Sequence, residues 1–207
     1  MTQSQNHLEI AKKAVVRVGD GRGFVVAGIE ERRYVITAAR CLPRLPTPRV
    51  FREVEEGTLP QIIGTLGSEP MVWAQLCFVD PMSDVAVLCE PDALPDELER
   101  YEVFTGAVEP VPIGAPPETL PSHLWTAETE TSAYVLSLNG RWQPVTVQYG
   151  GRFVVVQKGS GKIKGGRSGS PIINNSSEAI GIISTGEKNP SVMDCLPRWL
   201  LGKLGQP

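Results

Sequence analysis

Imidazole is almost absent from this chain: His7 and His123 are the only two histidines in 207 residues. The four cysteines, Cys41, Cys77, Cys89 and Cys195, are scattered, and no Cys-x-x-Cys pair occurs. A structural zinc ion needs clustered thiolates or imidazoles, so no metal is expected, and no cofactor either. The cysteines stand mostly in apolar surroundings, which reads as four buried free thiols and a reducing, cytoplasmic location. No apolar run approaches the ~18 residues of a membrane span, and residues 1–7 are polar, with no apolar stretch of signal-peptide length. A basic excess is missing too. Lys and Arg number 20 against 23 Asp and Glu, for a net charge of −3. That balance argues against a nucleic-acid or membrane-surface partner, both of which draw on positive charge.

Glycine and proline are abundant instead, at 21 and 18 residues, with no repeat behind them. Together they exceed the usual share of roughly 12%, which points to many tight turns between short strands. β-Branched runs at 14–19, 23–29, 34–38, 50–54, 61–66, 71–79 and 85–89 are separated by turn residues such as Asp20-Gly21 and read as strands. Residues 105–121 hold Pro110, Pro112, Pro116, Pro117 and Pro121 and cannot form a central strand, because each proline removes a ladder donor. They read as a connector between two halves. Runs at 132–138 and 141–148 flank Asn139-Gly140, a pair suited to a type I′ hairpin turn. Further strands are expected at 152–157, 171–174 and 179–185. Pro197 opens an expected C-terminal helix carrying Trp199, Leu200 and Leu204. A chain of this length is one domain of ordinary size or two packed halves. Strand counting leaves two barrels and a sandwich open.

Four motifs in order decide between them. Gly21-Arg22-Gly23-Phe24-Val25-Val26, followed by Tyr34-Val35-Ile36-Thr37-Ala38-Ala39-Arg40-Cys41, resembles the first hairpin of trypsin-like serine proteases, which ends in Thr-Ala-Ala-His-Cys. Ser83-Asp84-Val85-Ala86-Val87-Leu88 resembles the family's Asp-Ile-Ala-Leu-Leu strand, and Gly165-Gly166-Arg167-Ser168-Gly169-Ser170-Pro171 its nucleophile loop, usually Gly-Asp-Ser-Gly-Gly-Pro. Gly181-Ile182-Ile183-Ser184-Thr185-Gly186 is similar to the strand lining the substrate cleft. The resemblance runs from about Gly19 to Leu204 and is nearest to intracellular bacterial members. It implies an all-β fold of two six-stranded antiparallel barrels with a short C-terminal helix. Within a single domain, the first barrel is expected at 8–104, the connector at 105–123, the second barrel at 124–190, and the helix and tail at 191–207.

By the same resemblance Ser168 stands for the nucleophile and Asp84 for the orienting carboxylate, with an oxyanion hole from the main-chain N–H groups of Gly166 and Ser168. Lys162, Ser184, Thr185 and Gly186 would line the substrate site, Lys162 favouring acidic side chains unless 158–165 is merely a solvated loop. A serine hydroxyl needs a neighbouring base to take its proton, and the base needs a carboxylate to hold its tautomer. Arg40 occupies the place of that base. A guanidinium stays protonated and offers no lone pair, so it can donate to both partners and accept from neither. Impaired hydrolysis is therefore expected, leaving peptide or protein binding in the cleft or a scaffolding role, with fused or associated modules. The alternative is an active serine endopeptidase, natural with another base or silenced by a histidine-to-arginine change. His7, in the polar N-terminal stretch, and His123, in the connector, are poor candidates for that base. Arg167 replaces the aspartate thought to bind a freshly cut N-terminus in secreted members, so activation by cleavage is not expected. Cys41 has no cysteine near enough for the disulfide of secreted members, and it is expected to be free. Gly159-Ser160-Gly161-Lys162 only hints at a phosphate loop. Val156 and Ile163 stand where that motif requires glycine and a hydroxyl residue.

Overall fold

The computed structural model describes residues 3–43, 57–92, 94–116, 130–158, 165–184 and 188–206. The expected strand at 50–54 lies outside them, as do His123, Lys162, Thr185 and Gly186.

The first half closes into a barrel from β1 (Val15–Val18), β2 (Gly21–Ala27), β3 (Arg33–Thr37), β4 (Thr58–Gly64), β5 (Val72–Asp80) and β6 (Val85–Cys89). All neighbours are antiparallel and the ladder runs β1-β2-β3-β6-β5-β4, with β4 returning to β1. β2 and β6 are buried along nearly their whole length, which explains unbroken apolar runs where a half-exposed strand would alternate. Phe24, Ile36, Ile63 and Leu88 fill the interior. Removing a side chain of this kind typically costs about 3–5 kcal/mol for Phe and 2–5 for Leu or Ile.

The second half is a six-stranded antiparallel sheet ordered β11-β10-β7-β8-β9-β12, from β7 (Glu130–Leu136), β8 (Trp142–Gly150), β9 (Phe153–Lys158), β10 (Pro171–Asn174), β11 (Ala179–Ile182) and β12 (Lys188–Pro190). A bridge between Gly181 and Ser191 brings its two edges together, so this barrel is nearly closed. Val135, Val147, Ile172, Ile180 and Ile183 form its core. The β7–β8 connection differs from the expected type I′ turn. The strands end at the Leu136–Trp142 pair, and Gly140 alone takes a positive φ, of 72°. Asn139 keeps negative φ, so the loop is a longer one with a single left-handed residue. Ser137 ties it shut: its N–H donates to the Arg141 carbonyl at 2.9 Å and its hydroxyl accepts from the Arg141 N–H at 3.0 Å.

Helices are more numerous than the one expected. α1 (Gln3–Lys13) includes His7, which therefore sits exposed on a helix and not in an extended tail. The Trp142 indole N–H donates to the Leu8 carbonyl at 2.7 Å and fastens this helix to the second barrel. α2 (Pro95–Gly106) starts with proline in its first turn, and Asp96 and Glu97 beside it complement the helix dipole. The Tyr101 hydroxyl shares its one proton between the main-chain oxygens of Arg33 at 3.1 Å and Leu88 at 3.4 Å, pinning α2 against β3 and β6. The proline-rich stretch expected from Thr105 thus begins with the last residues of this helix. Beyond it the chain touches both barrels, through Val111 N–H to the Val25 carbonyl and a bridge from Ile113 to Ala179. The chain ends in α3 (Val192–Cys195) and α4 (Arg198–Lys203), Pro197 capping the latter.

Candidate active site

Three segments from the two barrels meet at one place. The first is the turn after β3, where Ala39–Cys41 forms a single 3₁₀ turn that carries Arg40. The second is the β5–β6 turn. There Asp80 Oδ1 accepts the N–H groups of Met82 at 2.9 Å and Ser83 at 3.1 Å, and the turn ends on Asp84 at φ 56°. Aspartate is one of the few residues that tolerates the left-handed region. The third is the loop 165–170, which enters β10.

That loop is locked to both barrels. Gly169 N–H donates to the Ile183 carbonyl and Ile183 N–H to the Ser170 carbonyl, each at 2.8 Å. The Arg22 N–H donates to the Ser168 carbonyl at 2.8 Å, and the Cys41 thiol reaches the same oxygen at 3.5 Å. Gly169 has φ +83°, and a Cβ there would lie 1.8 Å from the Arg22 carbonyl oxygen, which itself accepts the Thr37 hydroxyl at 2.6 Å. Only glycine satisfies both demands. Burial raises the Cys41 thiol above its ordinary range, keeping it a protonated donor.

Asp84 is held by three donors of Arg40. The Arg40 main-chain N–H donates to Asp84 Oδ1 at 3.1 Å, and its side-chain Nε–H donates to Oδ2 at 2.8 Å. Nη2 approaches Oδ2 to 2.5 Å and also donates to the Ser184 hydroxyl oxygen at 3.0 Å. The Ser184 hydroxyl in turn donates to Asp84 Oδ2 at 2.7 Å. Ser184, expected in the substrate site, is 6% exposed, and its side chain belongs to this cluster. Its N–H is held by Asn189 Oδ1 at 2.8 Å.

Ser168 is half-buried, and no hydrogen bond among the described residues uses its hydroxyl. The N–H groups of Gly166 and Ser168 likewise have no described main-chain partner. Gly166 is exposed at φ +82°. Among the described residues, the charged side chain that contacts Asp84 is Arg40, which can donate and cannot accept. Among the described residues no three His, Cys, Asp or Glu side chains are grouped to hold a metal ion.

Sequence reasoning passed over one structural feature, a pair of buried arginines beneath the loop. Arg22 and Arg167 are 7% and 4% exposed. Arg22 Nη1 donates to the carbonyls of Leu136 at 3.3 Å and Ser137 at 3.1 Å, and Arg167 Nε donates to Leu136 at 3.1 Å. Burial lowers both arginines' proton affinity, and for Arg22 the neighbouring Arg167 charge adds to the effect. The one signal in the sequence was Arg22 standing between two glycines inside an apolar strand.

No family model matches the chain, and no curated protein is similar to it in sequence. Its fold is similar to that of Rv3671c protease, solved in an inactive form, with a TM-score of 0.53 at 16% identity over 96% of this chain and 91% of that one. A human pathogenic astrovirus serine protease matches at TM-score 0.49 and 14% identity, over 91% of this chain and 96% of that one. A serine endoprotease from Yersinia pestis matches at 0.48 and 18% identity, over 92% of this chain and 61% of that one. The chain has the two-barrel fold of trypsin-like serine proteases.

Proposed function

We propose that this chain is a trypsin-like protease-fold domain that binds peptide or protein segments in the cleft between its barrels and hydrolyses them weakly or not at all. In this reading Ser168 holds the nucleophile's place, Asp84 that of the orienting carboxylate, and Gly166 and Ser168 supply oxyanion donors. One observation carries the proposal: Arg40 satisfies Asp84 with three donors and brings no acceptor to the Ser168 hydroxyl. General-base transfer is commonly worth 10²–10⁴ in rate, and it has no acceptor here. Oxyanion donors and binding alone leave about 10³–10⁴ over water when triad members are removed elsewhere. The substitution also stabilises the site, because an aspartate left unpaired in this partly buried cluster would be destabilising. The same reading places the domain in the cytoplasm, acting beside fused or associated modules.

The test is a fluorogenic peptide library incubated with the chain, alongside binding of the same peptides by anisotropy. Saturable binding with hydrolysis near the buffer rate is expected. Turnover at ordinary protease rates would establish the second reading, an active endopeptidase with another base. Absence of binding would leave only the scaffold role.

A further inference from the structure

The four thiols do not stand in equivalent places. Cys41 and Cys195 are buried, and each is spent on a main-chain oxygen, that of Ser168 at 3.5 Å and that of Arg152 at 3.0 Å. Cys77 and Cys89 are half-buried, lie on the neighbouring strands β5 and β6, and hydrogen-bond to each other. The register explains how they meet. Cys89 pairs with Gln75, so in a regular ladder Cys77 would stand at the diagonal, roughly 7–8 Å away. The ladder is irregular at this point. Leu76 faces Leu88 and Phe78 faces Val87, which leaves Cys77 between the two pairs with no partner of its own. It is therefore nearer to Cys89 than the diagonal, and as an unpaired bulge residue it can shift without breaking the ladder. The two thiols also differ from each other. The hydrogen bond from Cys89 holds the Cys77 thiol below its ordinary range against the effect of burial, and the Lys203 ammonium adds to the lowering. The same hydrogen bond, with burial, raises Cys89, which keeps its proton. One thiol is suited to attack and the other to follow.

We infer that Cys77 and Cys89 form a redox-sensitive site that closes to a reversible cross-strand disulfide when the protein meets a peroxide. The Cys77 thiolate attacks one oxygen of hydrogen peroxide. An S–O bond forms, the O–O bond breaks, and hydroxide leaves as water with the proton that Cys77 released. Cys77 has then given two electrons to the peroxide and is a sulfenic acid. The Cys89 sulfur next attacks the Cys77 sulfur, so that the S–S bond forms, the S–O bond breaks, and the hydroxyl departs as water with the Cys89 proton. Two thiols and one hydrogen peroxide give one disulfide and two waters. A dithiol reductant reverses the reaction by exchange and is itself oxidised to a disulfide. The pair lies at the end of β6 away from Asp84, and the inference does not depend on how the cleft is read.

The test uses the whole reduced chain, treated at neutral pH with a small molar excess of hydrogen peroxide. Remaining thiols are then capped with N-ethylmaleimide under denaturing conditions, and peptides are mapped by mass spectrometry without reduction. A Cys77–Cys89 disulfide within the monomer is expected, with caps on Cys41 and Cys195 only. Dithiothreitol added before capping should return all four caps. In Cys89→Ser the reaction should stop at the Cys77 sulfenic acid, which dimedone labels; no label at Cys77 there would overturn its part as the attacking thiol. The map of the unmodified chain decides the main claim without any variant. Four capped thiols after a large excess of peroxide, oxidation spread evenly over all four cysteines, or disulfides formed only between chains would each overturn it.

Discussion

Replacing Arg40 by alanine removes two of the donors on Asp84 Oδ2 and leaves two groups behind, the main-chain N–H at residue 40 and the Ser184 hydroxyl. The size of the loss follows from where the pair lies. Fully exposed ion pairs contribute about 0.2–1 kcal/mol, and breaking a fully buried one costs about 3–5. Here the side chains are 30% and 14% exposed, so the pair falls between those limits. The surviving donors soften the loss, and a hydrogen bond to a charged group is worth about 1.5–3 kcal/mol. We therefore expect Arg40→Ala to lower stability by about 2 kcal/mol, or roughly 4–8 °C in Tm for a chain of this size. Asp84→Asn alone should cost a similar amount, because Arg40 is then left without its counter-ion. The double variant should cost clearly less than the sum, with a coupling of about 1–2 kcal/mol in a urea-unfolding cycle. Additive losses would mean that the two side chains do not depend on one another. A loss under about 0.5 kcal/mol for Arg40→Ala would mean that the pair behaves as a surface contact.

Two further outcomes follow from the same packing. Burial raises the Cys41 and Cys195 thiols and pushes Tyr149 up to about 12, while in the hydrogen-bonded Cys77–Cys89 pair Cys89 is raised and Cys77 lowered. An acid raised on folding ionises first in the unfolded chain. Stability measured by denaturant should therefore be level near neutrality, fall above about pH 8.5 and fall again above about pH 10, by up to about 1.4 kcal/mol per pH unit for each group. Stability unchanged up to pH 10 would contradict it. Gly169→Ala places a Cβ 1.8 Å from the Arg22 carbonyl at φ +83°. Backbone strain and overpacking, each about 1–3 kcal/mol, should together lower the midpoint of urea unfolding markedly. A change within 0.5 kcal/mol would show that the loop is not wedged against β2.

Much of this architecture was legible because short β-branched runs and four ordered motifs are local signals. The first hairpin, the Asp84 strand and the loop around Ser168 all lie where those signals put them. Helix α1 was not legible: its sequence is mostly polar, and part of its anchorage is the distant indole of Trp142. α2 did carry local signals, Pro95 with Asp96 and Glu97 after it. In the site, the meeting of Arg40 with Asp84 followed from the family resemblance, which puts those two positions side by side, and from the need of an aspartate there for a donor. Ser184 as the third member of that cluster did not, because 100 residues separate it from Asp84. The Arg22–Arg167 pair was illegible for the same reason. Nothing local says that a strand arginine and a loop arginine will share one carbonyl.

In the proposed reading, Arg40 in place of a base keeps Ser168 unreactive while the rest of the site remains in position. Fluorophosphonate labelling measures it most directly, since these reagents react with an activated serine and mass spectrometry locates the adduct. The unmodified chain should label slowly, Arg40→His should label at Ser168 at least a hundredfold faster, and Arg40→His with Ser168→Ala should not label at all. Rapid labelling of the unmodified chain at Ser168 would contradict the account.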